Sequence, residues 1–487
     1  MPIPMEECRV GRVPTRSWSH PPPRANSFPP TTCTASARKA KSTDGFSPEN
    51  PISDKSIIPQ PPSRRLPDTV RSGIGKGLLG NLSPQTRRSS NDCSRGGGLR
   101  PMSELAHRDL KEKARQRVTS QQPRLEELSL WLHDNPETAY EEYRSSARLA
   151  QVLEGYGFTV EYPAYGLETS FAARSGQEGP ELVICAEYDA LPDIGHACGH
   201  NIIASAAVGA GLALQPLTEE LGFRLTVLGT PAEEIYGGKV DLINAGAFGN
   251  TAAAMMVHPS PRDVVDSPSL AIIQLEVAFH GKEAHASAFP EEGINALDAF
   301  VQSYVNLSTL RQHILSTDKI HGIVTDGGKA PNIIPALTRS KWYVRSQNFE
   351  RLEVLRERVR SCFEAAALAT GCRAEIEQMG NGYTELVSNN LLADLYAANS
   401  LALGRPLRRG ADINPSEAGS TDMGNVSQIV PSIHPMLSLH CAPIGNHQPA
   451  FTSQTITPEG NQAVFDGAVG MAWTAIDLAA GNLWDQL

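Results

Sequence analysis

Three short apolar runs, residues 181–186, 223–229 and 252–257, are each followed at once by side chains able to bind a metal or move a proton, and this constrains the chain more than any other feature. Continuous apolar runs of this length fit strands buried on both faces. Small, apolar residues 199–214 lie between the first two and read as a buried helix, and residues 239–247 read as another. Strands alternating with helices imply an α/β fold with a mostly parallel sheet covered on both sides. In such a sheet, ligands gather at the carboxyl ends of the strands. The first run leads into Glu187-Tyr-Asp189 and then Cys198-Gly-His200, the second into Thr230-Pro-Ala-Glu233-Glu234, and the third into His258. Thiolate, imidazole and carboxylate delivered to one sheet edge suit zinc and its borderline neighbours.

Each of these residues taken singly says little. A buried cysteine is usually a small hydrophobe, as Cys185 and Cys441 are read here. A histidine at a helix start or a glutamate pair on a solvated face needs no function. Glu233-Glu234 differs because it leaves an apolar strand directly, in a turn opened by Gly229-Thr-Pro. The convergence of all five residues on strand ends makes a functional cluster the better reading.

The ordered part is expected to begin near Ser120, where Leu125, Leu128, Leu130, Leu132 and then Ala139, Ala147, Leu149, Leu153 give helical periodicity over two lead-in helices. Between residues 270 and 378 the texture changes to strand 271–279, helix 294–313, strands 320–325 and 336–345, helix 352–370 and strand 373–376. That order is the ferredoxin-like split motif, an insertion in the larger domain, which resumes with residues 389–403, 432–439 and 462–479. The expected boundaries are a disordered Pro/Ser/Arg-rich tail over 1–118, a catalytic domain over 119–268 and 385–487, and an inserted lid or dimerisation domain over 269–384. The tail's Gly73-Ile-Gly75-Lys-Gly77-Leu-Leu-Gly80 follows no strand and reads as linker, not a phosphate loop.

Charge narrows the partners. Residues 1–100 carry 16 Lys and Arg against 7 Asp and Glu, leaving 27 against 46 for the body. An acidic body argues against nucleic acid as a partner. Eight cysteines without regular spacing argue against a disulfide framework and for a reducing compartment. With no apolar stretch of about 18–20 residues and no leading apolar segment, membrane association and secretion are not expected. The cytoplasm is the expected location. A mitochondrial presequence fits less well, because Glu6, Glu7 and many prolines accompany Arg9, Arg12 and Arg16.

The motifs Glu187-Tyr-Asp-Ala-Leu-Pro, His196-Ala-Cys-Gly-His-Asn, Gly229-Thr-Pro-Ala-Glu-Glu, Gly281-Lys-Glu-Ala-His-Ala and Pro331-Asn-Ile-Ile-Pro resemble the zinc aminoacylase/carnosinase-type metallopeptidase family. Within it they are most similar to the branch of hippurate hydrolases, auxin-conjugate amidohydrolases and β-alanyl-lysine (Xaa-Arg) dipeptidases. The resemblance runs in order from about Ser120 to the C terminus.

It implies two divalent ions, zinc before manganese or cobalt. Cys198 would bridge them, Glu234 and His447 complete one, and His200 and His258 the other. Asp189 would orient a ligand, and Glu233 would be the general base for attack by a metal-bound hydroxide on an amide. His285 resembles the family histidine that reaches a dimer partner's site and stabilises the oxyanion, so a homodimer is implied. Asn332 matches an asparagine near it. Arg345 is a candidate clamp for the substrate carboxylate, with a plain surface-strand arginine the alternative. Gly419 lies in a segment resembling the substrate-side glycine loop, though turn chemistry alone could account for it.

Two departures stand out. Glu187 and Asn201 occupy positions where hippurate and auxin-conjugate hydrolases usually have Asp. Only Asp193, Ile194 and Gly195 separate Pro192 from His196, a short spacer that favours the dipeptidase-like branch over N-acyl-amino-acid amidohydrolases. A non-catalytic scaffold on the same fold is a further alternative, disfavoured because every ligand position holds a competent residue.

Overall fold

The computed structural model describes residues 104–413 and 418–487, and the expectations for the tail up to residue 103, the Gly73–Gly80 linker included, lie outside them. The three apolar runs form the centre of a six-stranded sheet. Its order is Thr159–Glu161, Ala172–Ser175, Arg224–Gly229, Glu181–Ala186, Thr251–Met255, Ser432–Ile433. The last four are mutually parallel, and Ala172–Ser175 runs antiparallel to both of its neighbours.

Alternation along the central strand explains why it had to be apolar throughout. Leu182, Ile184 and Ala186 enter one core cluster while Val183 and Cys185 enter another, so both faces are covered. One cover is the all-buried helix His200–Leu214, packed between helices Glu104–Asp134 and Pro458–Ala480. Its small residues permit close approach: a Cβ on Gly209 would lie 2.8 Å from both Ala468 Cβ and Leu125 Cδ1.

By length and composition, His200–Leu221 and Pro458–Ala480 would each suffice to cross a membrane, which the sequence reading did not anticipate. With 89% and 72% of those windows buried inside the protein, both serve as core helices.

The ordered part also starts earlier than Ser120. The first helix begins at Glu104 and buries Leu110, Ala114 and Val118. The polar stretch Arg115–Gln122 masked this start, because only one narrow stripe of the helix faces the core.

The small unit has the expected β-α-β-β-α-β order. Its antiparallel sheet runs Arg373–Tyr383, Ala271–His280, Leu337–Ser346, Lys319–Asp326, and helices Ala296–Leu310 and Phe349–Thr370 share its core. Asn295 and Asn348 set the helix starts, each accepting a backbone N–H with its side chain.

Candidate metal centre and active site

The carboxyl ends of the parallel strands meet as the residue pattern requires. The turn after Ala186 carries Glu187 and Asp189, then returns through Cys198 to His200, the first residue of its helix. Gly199 makes that return with φ +87°, and a Cβ there would stand 2.4 Å from Pro259 Cγ. The turn after Gly229 supplies Glu233 and Glu234, and His258 opens the short strand His258–Ser260.

The imidazoles are oriented by their outer nitrogens. His200 Nδ1 donates to Asp189 Oδ1 at 3.0 Å, and His258 Nδ1 to the Pro259 carbonyl at 2.7 Å, so each ring turns Nε2 inward. Asp189 Oδ2 also accepts the Glu234 N–H at 2.9 Å, which ties one carboxylate to two ligand residues.

Inside, Cys198 Sγ is 3.3 Å from His258 Nε2, and Glu234 Oε2 is 3.4 Å from His447 Nε2. His447 comes from a loop at the rim, with φ +64°. Its N–H donates to the Ala197 carbonyl at 2.9 Å, while Asn446 Nδ2 donates to the carbonyls of Cys198 and Pro259 at 3.2 and 3.0 Å. Strained backbone of this kind persists only where its surroundings over-determine it.

Two donor groups share the Cys198 thiol, Cys198/His200/His258 and Cys198/Glu234/His447, and a third joins Glu187, His200 and Glu233. Within each, the ligand atoms all lie within 4.8 Å of one another. The residues fit a pair of divalent ions on independent grounds: His200 Nε2 and Glu234 Oε1 are buried without any hydrogen-bond partner, which is costly unless something else satisfies them. Crowding tells the same story. Burial, then Glu187 and Glu234, pushes the Glu233 carboxyl well above its usual range, and burial, then Glu234, does the same to the Cys198 thiol. Burial holds His258 down at about 4, neutral and able to ligate.

Cys198, Glu233, Glu234, His258 and His447 line a cavity of about 690 Å³. Arg345 lines it too, half-buried and donating to Ser420 Oγ at 2.7 Å, so it is no surface-strand arginine. Gly419 lines the cavity as well, and a Cβ there would meet nothing within 4 Å.

Residues 271–371 match the model of the peptidase dimerisation domain of the M20 family. The Xaa-Arg dipeptidase of Mus musculus is 38% identical over 384 residues, covering 76% of this chain and 89% of the mouse protein.

This chain belongs to the M20 peptidase family.

The human Xaa-Arg dipeptidase is 37% identical over 404 residues, 79% of this chain and 91% of its own length. The fold is also that of a dinuclear metal-binding M20 peptidase from Bacillus subtilis, at TM-score 0.56 and 20% identity, covering 74% of this chain and 99% of that one.

For an M20 chain, two of the residues singled out from sequence lie outside this site. His285 and Asn332 are exposed on the small domain and absent from the cavity lining. They sit beside each other, Ala286 N donating to the Asn332 carbonyl at 3.0 Å. His285 Nδ1 accepts the N–H groups of Ser287 and Ala288, at 3.3 and 3.1 Å.

Sequence reasoning also missed residues that the fold brings in. His434 is 1% exposed, lines the cavity, and its ring centroid is 5.3 Å from that of His258; its one signal was a polar residue inside an apolar run. Lys239 is fully buried between Glu187 and Asp422. Burial alone would lower its pKa, but the Asp422 and Glu187 carboxylates outweigh that and hold the ammonium well above its usual range. Tyr383 donates its hydroxyl to the Glu233 carbonyl, and Ala232, at φ +61°, donates its N–H to Glu142 Oε1 at 2.8 Å. The turn carrying Glu233 is thereby held from two sides.

Proposed function

We propose that this chain is a two-metal dipeptidase that cleaves the amide bond next to a free carboxylate. The observation that carries the reading is the joint placement of Glu233, the donors Cys198, Glu234, His258 and His447, and Arg345 in the lining of one cavity, with His200 buried behind them. When bound to those donors, divalent ions polarise the substrate carbonyl and acidify water. Glu233 stands beside the donors with its pKa raised, suited to take a proton from water and pass it to the leaving amine. Arg345 anchors the substrate carboxylate, since a guanidinium pairs with it through two parallel hydrogen bonds. The names of the mouse and human relatives support a dipeptide as substrate, and zinc is the proposed metal because the shared donor is a thiol.

A second reading, hydrolysis of an N-acyl amino acid, draws on Val264, Leu386, Ile413 and Met436, an apolar stretch of the cavity lining suited to an acyl group. The chain is proposed to act as a homodimer, with His285 and Asn332 offered to a second subunit's site, which their exposure supports. A cytoplasmic location is proposed as well. The five described cysteines, all unpaired, support a reducing compartment.

The test is amine release from a panel of dipeptides and N-acyl amino acids with zinc, manganese or cobalt added, and with chelator. Selective, chelator-sensitive cleavage of dipeptides is expected. Cleavage confined to acetyl or aroyl conjugates would establish the second reading, and turnover insensitive to chelation would overturn both.

A further inference from the structure

Glu187 holds no ligand role in the centre as described so far, yet it is built as if it should. Its side chain is fully buried at the end of the central strand. One oxygen, Oε1, accepts from Lys239 Nζ. The other, Oε2, is buried without a partner and lies 3.5 Å from His200 Nε2, itself a buried nitrogen without one. Leaving two such atoms facing each other would be costly unless a third party satisfies both.

Their separation fits a shared metal ion. Two donors each about 2.1 Å from a tetrahedral ion stand about 3.4 Å apart. The Cys198–His258 and Glu234–His447 pairs, at 3.3 and 3.4 Å, show this spacing, and so does Glu187–His200 at 3.5 Å. The other two carboxylates near His200 Nε2 are farther from it, Glu234 Oε1 at 3.7 Å and Glu233 Oε2 at 4.0 Å. The ammonium of Lys239 cannot ligate. It is in turn held by Asp422, which accepts from Lys239 Nζ at 2.7 Å and from its backbone N–H at 2.9 Å. This latch prevents Glu187 from turning both oxygens inward.

We propose that Glu187 is a further metal ligand, binding through Oε2 the ion held by Cys198, His200 and His258, and that Lys239 and Asp422 lock it into single-oxygen coordination. The proposal rests on the two-metal reading of the site. It adds a carboxylate to an ion that otherwise has one thiolate and two neutral imidazoles, and so offsets more of its charge.

The experiment is metal binding, measured without substrate. The purified full chain and its Glu187→Gln variant are stripped, equilibrated with zinc against a chromophoric chelator, and assayed for zinc per subunit by plasma mass spectrometry. Wild type is expected to hold two ions, and the variant to bind one of the two more than about 100-fold more weakly, beyond the roughly 10- to 100-fold cost of losing a residue that merely orients a ligand. Two ions of unchanged affinity in the variant would overturn the proposal while leaving the two-metal reading intact. Fewer than two ions in wild type would overturn both. Should the variant fail to fold, zinc-loaded crystals of wild type decide: Glu187 Oε2 at about 2.0–2.2 Å from an ion supports the proposal, and a separation beyond about 3 Å overturns it.

Discussion

Glu233 and Glu234 are adjacent, buried and chemically alike, and their backbone sets them apart. Asp189 accepts the Glu234 N–H, Tyr383 donates to the Glu233 carbonyl, and the preceding Ala232 is held in a left-handed conformation. Successive side chains therefore leave the turn in different directions, one toward His447 and one along the cavity. The Glu233→Gln variant is expected to lose about 10²- to 10⁴-fold in kcat, the usual contribution of a general base, with zinc content unchanged by mass spectrometry. Full activity would remove Glu233 from that role. Arg345 makes a different kind of contribution. In Arg345→Met, KM should rise roughly tenfold or more, the magnitude of a lost charge-assisted hydrogen bond, while kcat falls much less. Substrates amidated at the carboxyl end should not distinguish the variant from wild type; if they do, Arg345 acts elsewhere.

Among the elements, the first helix and the glycine before His200 have the clearest consequences. Helix Glu104–Asp134 packs on the two buried helices, and Trp473 Nε1 donates to the Lys111 carbonyl at 2.7 Å while the Lys111 ammonium pairs with Asp477. Leu110→Ala should cost about 2–5 kcal/mol, as large-to-small core changes do, measured by urea unfolding. A chain starting at residue 104 should match the full chain in melting temperature, and one starting at 119 should melt lower. Removing residues up to 115 would cut into the core, because Leu110 and Ala114 are part of it. At Gly199, alanine would meet Pro259 and also require a left-handed backbone costing about 1–2 kcal/mol. The variant should bind zinc more weakly in the chelator competition, since Cys198 and His200 flank the distorted bond. Unchanged affinity would mean that the turn does not set the ligand geometry.

At the scale of the whole molecule, the small domain carries groups that the cavity does not use. His285 is exposed, and the edge strand Lys319–Asp326 leaves Ile323 and Val324 at 64% and 42% exposure. An apolar unpaired strand edge is a template for a second chain. If His285 serves a neighbour's site, the Glu233→Gln and His285→Ala variants should each be inactive alone. Mixed and reassembled, they should recover up to about a quarter of wild-type activity, because half of random dimers are mixed and each has one complete site. No recovery from dimers shown to have exchanged would place His285 outside catalysis.

The sequence by itself determined the parallel centre of the sheet, the split order of the small domain, and the delivery of Cys198, His200, Glu233, Glu234 and His258 to one edge. All of these follow from local apolar periodicity and from position relative to a strand end, which a chain displays over a few residues. Only the tertiary structure decided that Lys239 lies between Glu187 and Asp422, 52 and 183 residues away, that His434 joins the cavity, and that the first helix starts at Glu104. It likewise decided that Arg345 is a cavity residue while His285 and Asn332 face outward. Charge pairs between distant segments leave no periodic trace. A narrow buried stripe on a polar helix, or the exposure of one side chain, is set by what packs against it.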